Sequence, residues 1–282
     1  MFLRKWKMKC FTIMALATYC TIISISCSND ILGVVYSPES RERFAYKDHF
    51  VYLDEPDRRL ELGDTFSFIV LTDTHITANN TNGFGNLKNI IEENNDSFVV
   101  VTGDITQSGK SNELELFIEM ADTFQVPCYP VIGNHDIFFG NWSVWKEKIG
   151  STVYRVDADH TTLIMLDSAN ASFGAEQLDW LKAQLTSAKE NTFVFTHASL
   201  FSDKASSIQQ LTDIRERARI MSMLDGKCAA LFTGHIHERI IEQAGSVSYI
   251  TLEDFKSNGT YCRVKVSPGG VSYEINSLGR DL

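Results

Sequence analysis

Residues 128–136 read Cys128-Tyr129-Pro130-Val131-Ile132-Gly133-Asn134-His135-Asp136. Five mostly apolar residues end on a glycine, and three residues with metal-ligating or proton-transferring side chains follow at once. The apolar run is too short for a helix and has the continuous hydrophobicity of a strand buried on both faces. Glycine at its end permits a tight turn and a close approach of backbone to whatever lies beyond.

The same arrangement recurs outward in both directions. An apolar run at 66–71 leads into Thr72-Asp73-Thr74-His75, and one at 98–101 leads into Gly103-Asp104. Downstream, 192–195 leads into Thr196-His197, and 229–232 leads into Gly234-His235-Ile236-His237. Two more strands are predicted at 153–156 and 162–166, the second ending in Asp167-Ser168. Amphipathic helices are predicted between the strands at 86–94, 112–124, 175–188 and 213–224. The tail alternates at 239–242, 246–252, 261–266 and 271–275, as antiparallel strands do. The pattern is that of an α/β layered domain over residues 65–282.

In open α/β sheets, ligands collect outside the carboxyl ends of the strands. Five of the seven histidines stand at such ends, in company with Asp73, Asp104, Asn134 and Asp136. Carboxylate, imidazole and amide oxygen together suit Mn, Fe, Zn or Mg and disfavour copper(I) or iron–sulfur chemistry. The alternation in Asp73-x-His75 and His235-x-His237 is expected to set both members of each pair on one side of an extended segment. Each residue alone has a plainer reading: Asp104 could cap a turn and Asn134 could sit in a left-handed one. Five strand ends bearing ligand-type residues in order have no such plain reading.

The series Asp73-x-His75, Gly103-Asp104, Gly133-Asn134-His135-Asp136, His197 and Gly234-His235-x-His237 resembles the complete motif set of the calcineurin-like metallophosphoesterases. Within that superfamily, residues 101–106 and 176–181 are similar to the bacterial cyclic-nucleotide-phosphodiesterase-like group. The resemblance implies a layered β-sandwich flanked by helices and two divalent metal ions. Asp73, His75 and His237 would hold one ion, and Asn134, His197 and His235 the other, with Asp104 bridging. A metal-activated water would attack a phosphodiester or phosphomonoester, the two ions lying about 3.5–4 Å apart. His135 would be catalytic without being a ligand, and Asp136 would orient it. The rival from another class is a metal-binding scaffold of the same fold without catalysis.

Composition narrows the partners. The 282 residues carry a net charge of −10, and the body of the chain has no Lys/Arg cluster, so nucleic acid is not an expected partner. Residues 1–26 hold Arg4, Lys5, Lys7 and Lys9 and then an apolar run, as a signal peptide does. Ser24-Ile25-Ser26-Cys27 resembles a bacterial lipoprotein cleavage box, with Ser24 where that box has an aliphatic residue. It implies an exported periplasmic or cell-surface protein held to a membrane by lipid on Cys27. Residues 27–64 are polar and are expected to form a tether, with a short hairpin near 50–53. Cys128, Cys228 and Cys262 lack a disulfide or metal spacing, and Cys128 and Cys228 are expected to be core residues. Phe138, Phe139, Trp142 and Trp145 are expected to be core rather than pocket wall. Arg215, Arg217 and Arg219 are expected on a solvated helix face.

Overall fold

The computed structural model describes residues 39–54, 59–201, 211 and 213–279. The expected signal peptide and Cys27 lie outside the described residues. Eleven strands among these residues form two sheets. The first contains β1 (Phe66–Leu71), β2 (Val99–Thr102), β3 (Cys128–Val131), β10 (Thr260–Ser267) and β11 (Gly270–Ser277), in the order β11-β10-β1-β2-β3. The second contains β4 (Tyr154–Ala158), β5 (Thr161–Met165), β6 (Asn191–Phe195), β7 (Ala230–Thr233), β8 (Ile240–Ala244) and β9 (Val247–Thr251), in the order β4-β5-β6-β7-β9-β8.

Alternation along β1 shows how the layers are made. Phe66, Phe68 and Val70 point into the space between the sheets, where Phe193, Phe195, Phe232 and Ile250 of the second sheet meet them. Phe68 stacks on Phe98 at 4.4 Å and meets Phe193 edge-on at 5.2 Å, geometries that aromatic quadrupoles favour. Ile69 and Leu71 point the other way. Their face is covered by α2 (Leu87–Asn94), α3 (Ser111–Asp122) and α4 (Trp142–Lys148), which contribute Ile91, Phe117 and Trp145 to that core. The outer face of the second sheet carries α5 (Ala175–Gln184) and α6 (Ile214–Leu224) through Leu178, Leu181, Ile220 and Leu224. The layers therefore run helix, sheet, sheet, helix, the flanked sandwich expected from the sequence.

Strands β1, β2 and β3 are parallel, and so are β5, β6, β7 and β9. Parallel pairing makes their carboxyl ends exit at one edge of each sheet, and this places the five polar clusters together. A short helix, α7 (Phe255–Asn258), follows β9 and returns to the same edge, where its Phe255 amide donates to Thr72 O at 2.9 Å.

The stretch before Phe66 differs from the expected tether in what it buries. Helix α1 (Ser40–Phe44) docks on the body through Arg43, whose guanidinium donates twice to Asp167 at 2.7 Å with both side chains fully buried. Among the described residues no hairpin forms near Phe50. Phe50 makes a single bridge to Gly150, and Tyr52–Asp54 is a 3-10 helix whose Tyr52 enters the core. The segment read as a polar tether because the partner of Arg43, Asp167, lies 124 residues away in the sequence.

Phe138, Trp142 and Trp145 are buried, as are Cys128, Cys228 and Cys262, which are free thiols. Arg217 donates to Leu200 O, and Arg219 pairs with Asp179.

Candidate metal centre

The polar clusters meet where the strand ends of both sheets face each other. Backbone hydrogen bonds lace the loops together. The Asp73 amide donates to Gly103 O, the His75 amide to Asp104 O, and the Gly234 amide to His197 O, each at 3.0 Å. Between the sheets, His197 Nδ1 faces Thr102 O at 2.9 Å, and the His235 amide donates to Asp73 Oδ2 at 2.9 Å.

The convergence of the ligand pairs has a different origin from the one expected. Asp73 and His75 are not alternate residues of an extended segment, and neither are His235 and His237. Each has positive φ: 53° and 45° in the first pair, 73° and 54° in the second. Asp104 shares the conformation at 49°. Left-handed backbone at a non-glycine residue costs roughly 1–3 kcal/mol and persists only where surrounding structure imposes it. Five such residues in one site mark a backbone bent to aim side chains inward. Asn134, by contrast, is right-handed at φ −70°, so tolerance of a left-handed turn is not its role. The adjacent glycines are needed for space. A Cβ on Gly133 would collide with Asp104, on Gly103 with the His197 ring, and on Gly234 with Thr72 and Asp73.

Two groups of ligands result. In the first, Asp73 Oδ1 lies 3.1 Å from His237 Nε2 and 3.7 Å from His75 Nε2. In the second, His197 Nε2 lies 3.0 Å from Asn134 Oδ1, 3.1 Å from His235 Nδ1 and 3.3 Å from Asp104 Oδ1. Asp104 also stands beside the first group: with His75 and His135 it offers atoms within 4.8 Å of one another. It thus lies between the two groups.

Divalent cations fit these residues on two observations. Both ring nitrogens of His75 are buried without a hydrogen-bond partner, which would cost on the order of 1–3 kcal/mol for each unsatisfied group. The Thr102 carbonyl takes the Nδ1 proton of His197, so in the neutral ring Nε2 aims a lone pair at three other acceptor-capable atoms. Such a cluster requires positive charge at its centre. The electrostatics of the same residues agree. Burial opposes charging His197, yet Asp104 and Asp73 outweigh it and push its pKa up to about 9. Burial and the neighbouring His197 hold His235 down to about 4, leaving a neutral imidazole suited to a metal. Burial would raise Asp73, but His237 and His75 hold it well below the usual carboxylate range.

Asp136 departs from its expected role. Its carboxylate accepts from the amides of Ile105, Thr106 and Gly133 and from the Thr106 hydroxyl, so it ties the second and third strand ends together. Burial and the nearby Asp104 charge push its pKa up to about 6. The group at His135 Nδ1 is instead the Gln107 carbonyl, at 2.8 Å. A main-chain carbonyl leaves no sequence signature, because every residue type supplies one. Two side-chain partners were also missed. Thr72 Oγ1 donates to Asp73 Oδ2 at 2.7 Å, and Asn82 donates to the Thr74 and His75 carbonyls. Asn82 sits in an Asn/Thr-rich stretch that reads only as a turn. Ser168 accepts from the amides of His197 and Ala198, which supports the His197 strand end.

Residues 66–239 match the calcineurin-like phosphoesterase family, and this match covers every residue of both ligand groups. The chain belongs to that family. A probable cyclic nucleotide phosphodiesterase of Fibrobacter succinogenes is 24% identical over 164 residues, 54% of this chain and 62% of the relative. The alignment thus spans less than two thirds of that relative's length. The 3',5'-cyclic adenosine monophosphate phosphodiesterase CpdA of Haemophilus influenzae is 26% identical over 209 residues, 68% of this chain and 76% of the relative. Among solved structures, a dimetal phosphatase from Danio rerio superposes with a TM-score of 0.61 at 15% identity, covering 78% of this chain and 100% of that one. At that identity the superposition speaks for the fold. Like other members of the calcineurin-like family, this chain has a ligand set for two divalent metals.

Proposed function

We propose that this calcineurin-like phosphoesterase is a dinuclear hydrolase of small phosphate esters that favours diesters over monoesters. The observation that carries the reading is the meeting of two ligand groups on Asp104, with His135 beside them. Bound there, two divalent cations supply the positive charge and Lewis acidity needed for in-line displacement at phosphorus by water. The chain's own groups do the remainder. Asp73, Asp104 and His197 are themselves buried away from bulk water, which strengthens the charge interactions among them. The Gln107 carbonyl holds the Nδ1 proton of His135 and turns Nε2 toward the centre, 3.9 Å from Asp104 Oδ2. Nε2 is thereby aimed at the centre, from where a proton on it can pass to the departing oxygen.

The diester preference is supported by the phosphodiesterase names of the two relatives. Turnover of bis(p-nitrophenyl) phosphate should exceed that of p-nitrophenyl phosphate in Mn²⁺-loaded protein, and chelation should abolish both. A monoester preference would overturn the diester assignment. Two bound metals with no turnover of either ester would favour the inert scaffold.

The N-terminal residues support export and anchoring through lipid on Cys27, in the periplasm or at the cell surface. An enzyme so placed would meet extracellular nucleotides or glycerophosphodiesters. Cys27→Ser should block processing and release the protein from membranes; unchanged membrane retention would refute the anchor.

A further inference from the structure

Lys256 lies at the rim of the metal centre, and the reaction outlined above does not use it. It is the second residue of α7, and its amide donates to Asp73 O at 3.2 Å, so its backbone is tied directly to a ligand residue. Its ammonium reaches across to Gln107 Oε1 at 3.2 Å. Gln107 is the residue whose main-chain carbonyl holds His135. One residue therefore positions the proposed proton donor through its backbone and an exposed cation through its side chain.

The charge of Lys256 is conspicuous by its pairing. In this acidic chain many basic side chains meet a carboxylate: Lys88 meets Glu92, Lys148 meets Glu115, Arg239 meets Glu253 and Lys265 meets Glu274. Among the described residues Lys256 meets only a neutral amide oxygen, and the nearby Asp254 carboxylate is turned to the Ser257 amide and hydroxyl. An ammonium held by a neutral acceptor keeps its full charge for an incoming anion. Gln107 links it to His135, the group proposed to protonate the departing half of a substrate.

We propose that Lys256, steadied by Gln107, is an anion subsite that binds a second charged group on the departing half of the substrate. The preferred substrates are then phosphate esters whose leaving alcohol carries a further phosphate or carboxylate. The substrate class rests on the phosphoesterase reading; the anion site itself does not.

The test is calorimetric binding of two non-hydrolysed probes, orthophosphate and methylenediphosphonate, to Mn²⁺-loaded full-length protein. Lys256→Gln should weaken methylenediphosphonate about tenfold, as loss of a charge-assisted hydrogen bond would, and leave orthophosphate within about twofold. Lys256→Arg should retain most of the affinity. Unchanged diphosphonate binding in Lys256→Gln, or equal weakening of both probes, would overturn the subsite. The binding comparison needs no turnover. A protein inert toward esters that still shows the selective loss would keep the anion site while the hydrolase reading fails. An active enzyme without the selective loss would do the reverse.

Discussion

Asp104→Asn is expected to lower metal-dependent turnover by roughly a thousandfold or more and to leave fewer than two metals per chain. Asn matches Asp in size and tolerates the left-handed backbone at this position, so the change removes charge and little else. Asp104 is 2% exposed and is the carboxylate that both ligand groups approach. Its Oδ1 also accepts the His135 amide at 2.8 Å, which ties Asp104 to His135. A bridging metal carboxylate contributes several kcal/mol, and about 4 kcal/mol corresponds to a factor of about a thousand in rate. Elemental analysis of the dialysed variant, beside kcat/KM on the diester, reads both effects. Two metals retained with turnover within tenfold of wild type would refute the bridging role.

His135→Ala is expected to separate chemistry from metal binding. Turnover should fall about 10²–10⁴-fold, the usual contribution of a positioned general acid, while metal content stays at two. The ring packs on Phe138 at 4.2 Å and against His75 at 4.6 Å, and its amide rather than its side chain contacts Asp104 most closely. Its removal therefore leaves both ligand groups standing. The loss should be steepest for esters with poor leaving groups, such as alkyl phosphates, and shallow for p-nitrophenyl esters, whose departing oxygen needs little protonation. An equal loss across leaving groups would exclude proton donation and leave His135 a role in stabilising phosphoryl charge.

Much of this site could be read from the chain because its chemistry is local. A polar cluster directly after a strand is announced by the strand, and the five endings at 72–75, 103–104, 133–136, 196–197 and 234–237 hold the seven candidate ligands and His135 that the fold brings together. The strands themselves were legible because continuous apolar runs have few other uses. Tertiary structure decided whatever depends on residues distant in sequence or on groups every residue shares. The pairing of Arg43 with Asp167 spans 124 positions, so a segment that looked solvated is fastened to the body by a buried charge. The Gln107 carbonyl, not Asp136, meets His135 Nδ1, and no side-chain pattern encodes a carbonyl. Alternate spacing in Asp73-x-His75 and His235-x-His237 suggested extended backbone, whereas positive φ at each residue turns the pairs inward. That conformation is imposed by hydrogen bonds between loops of different strands, and only the assembled sheets bring those loops together.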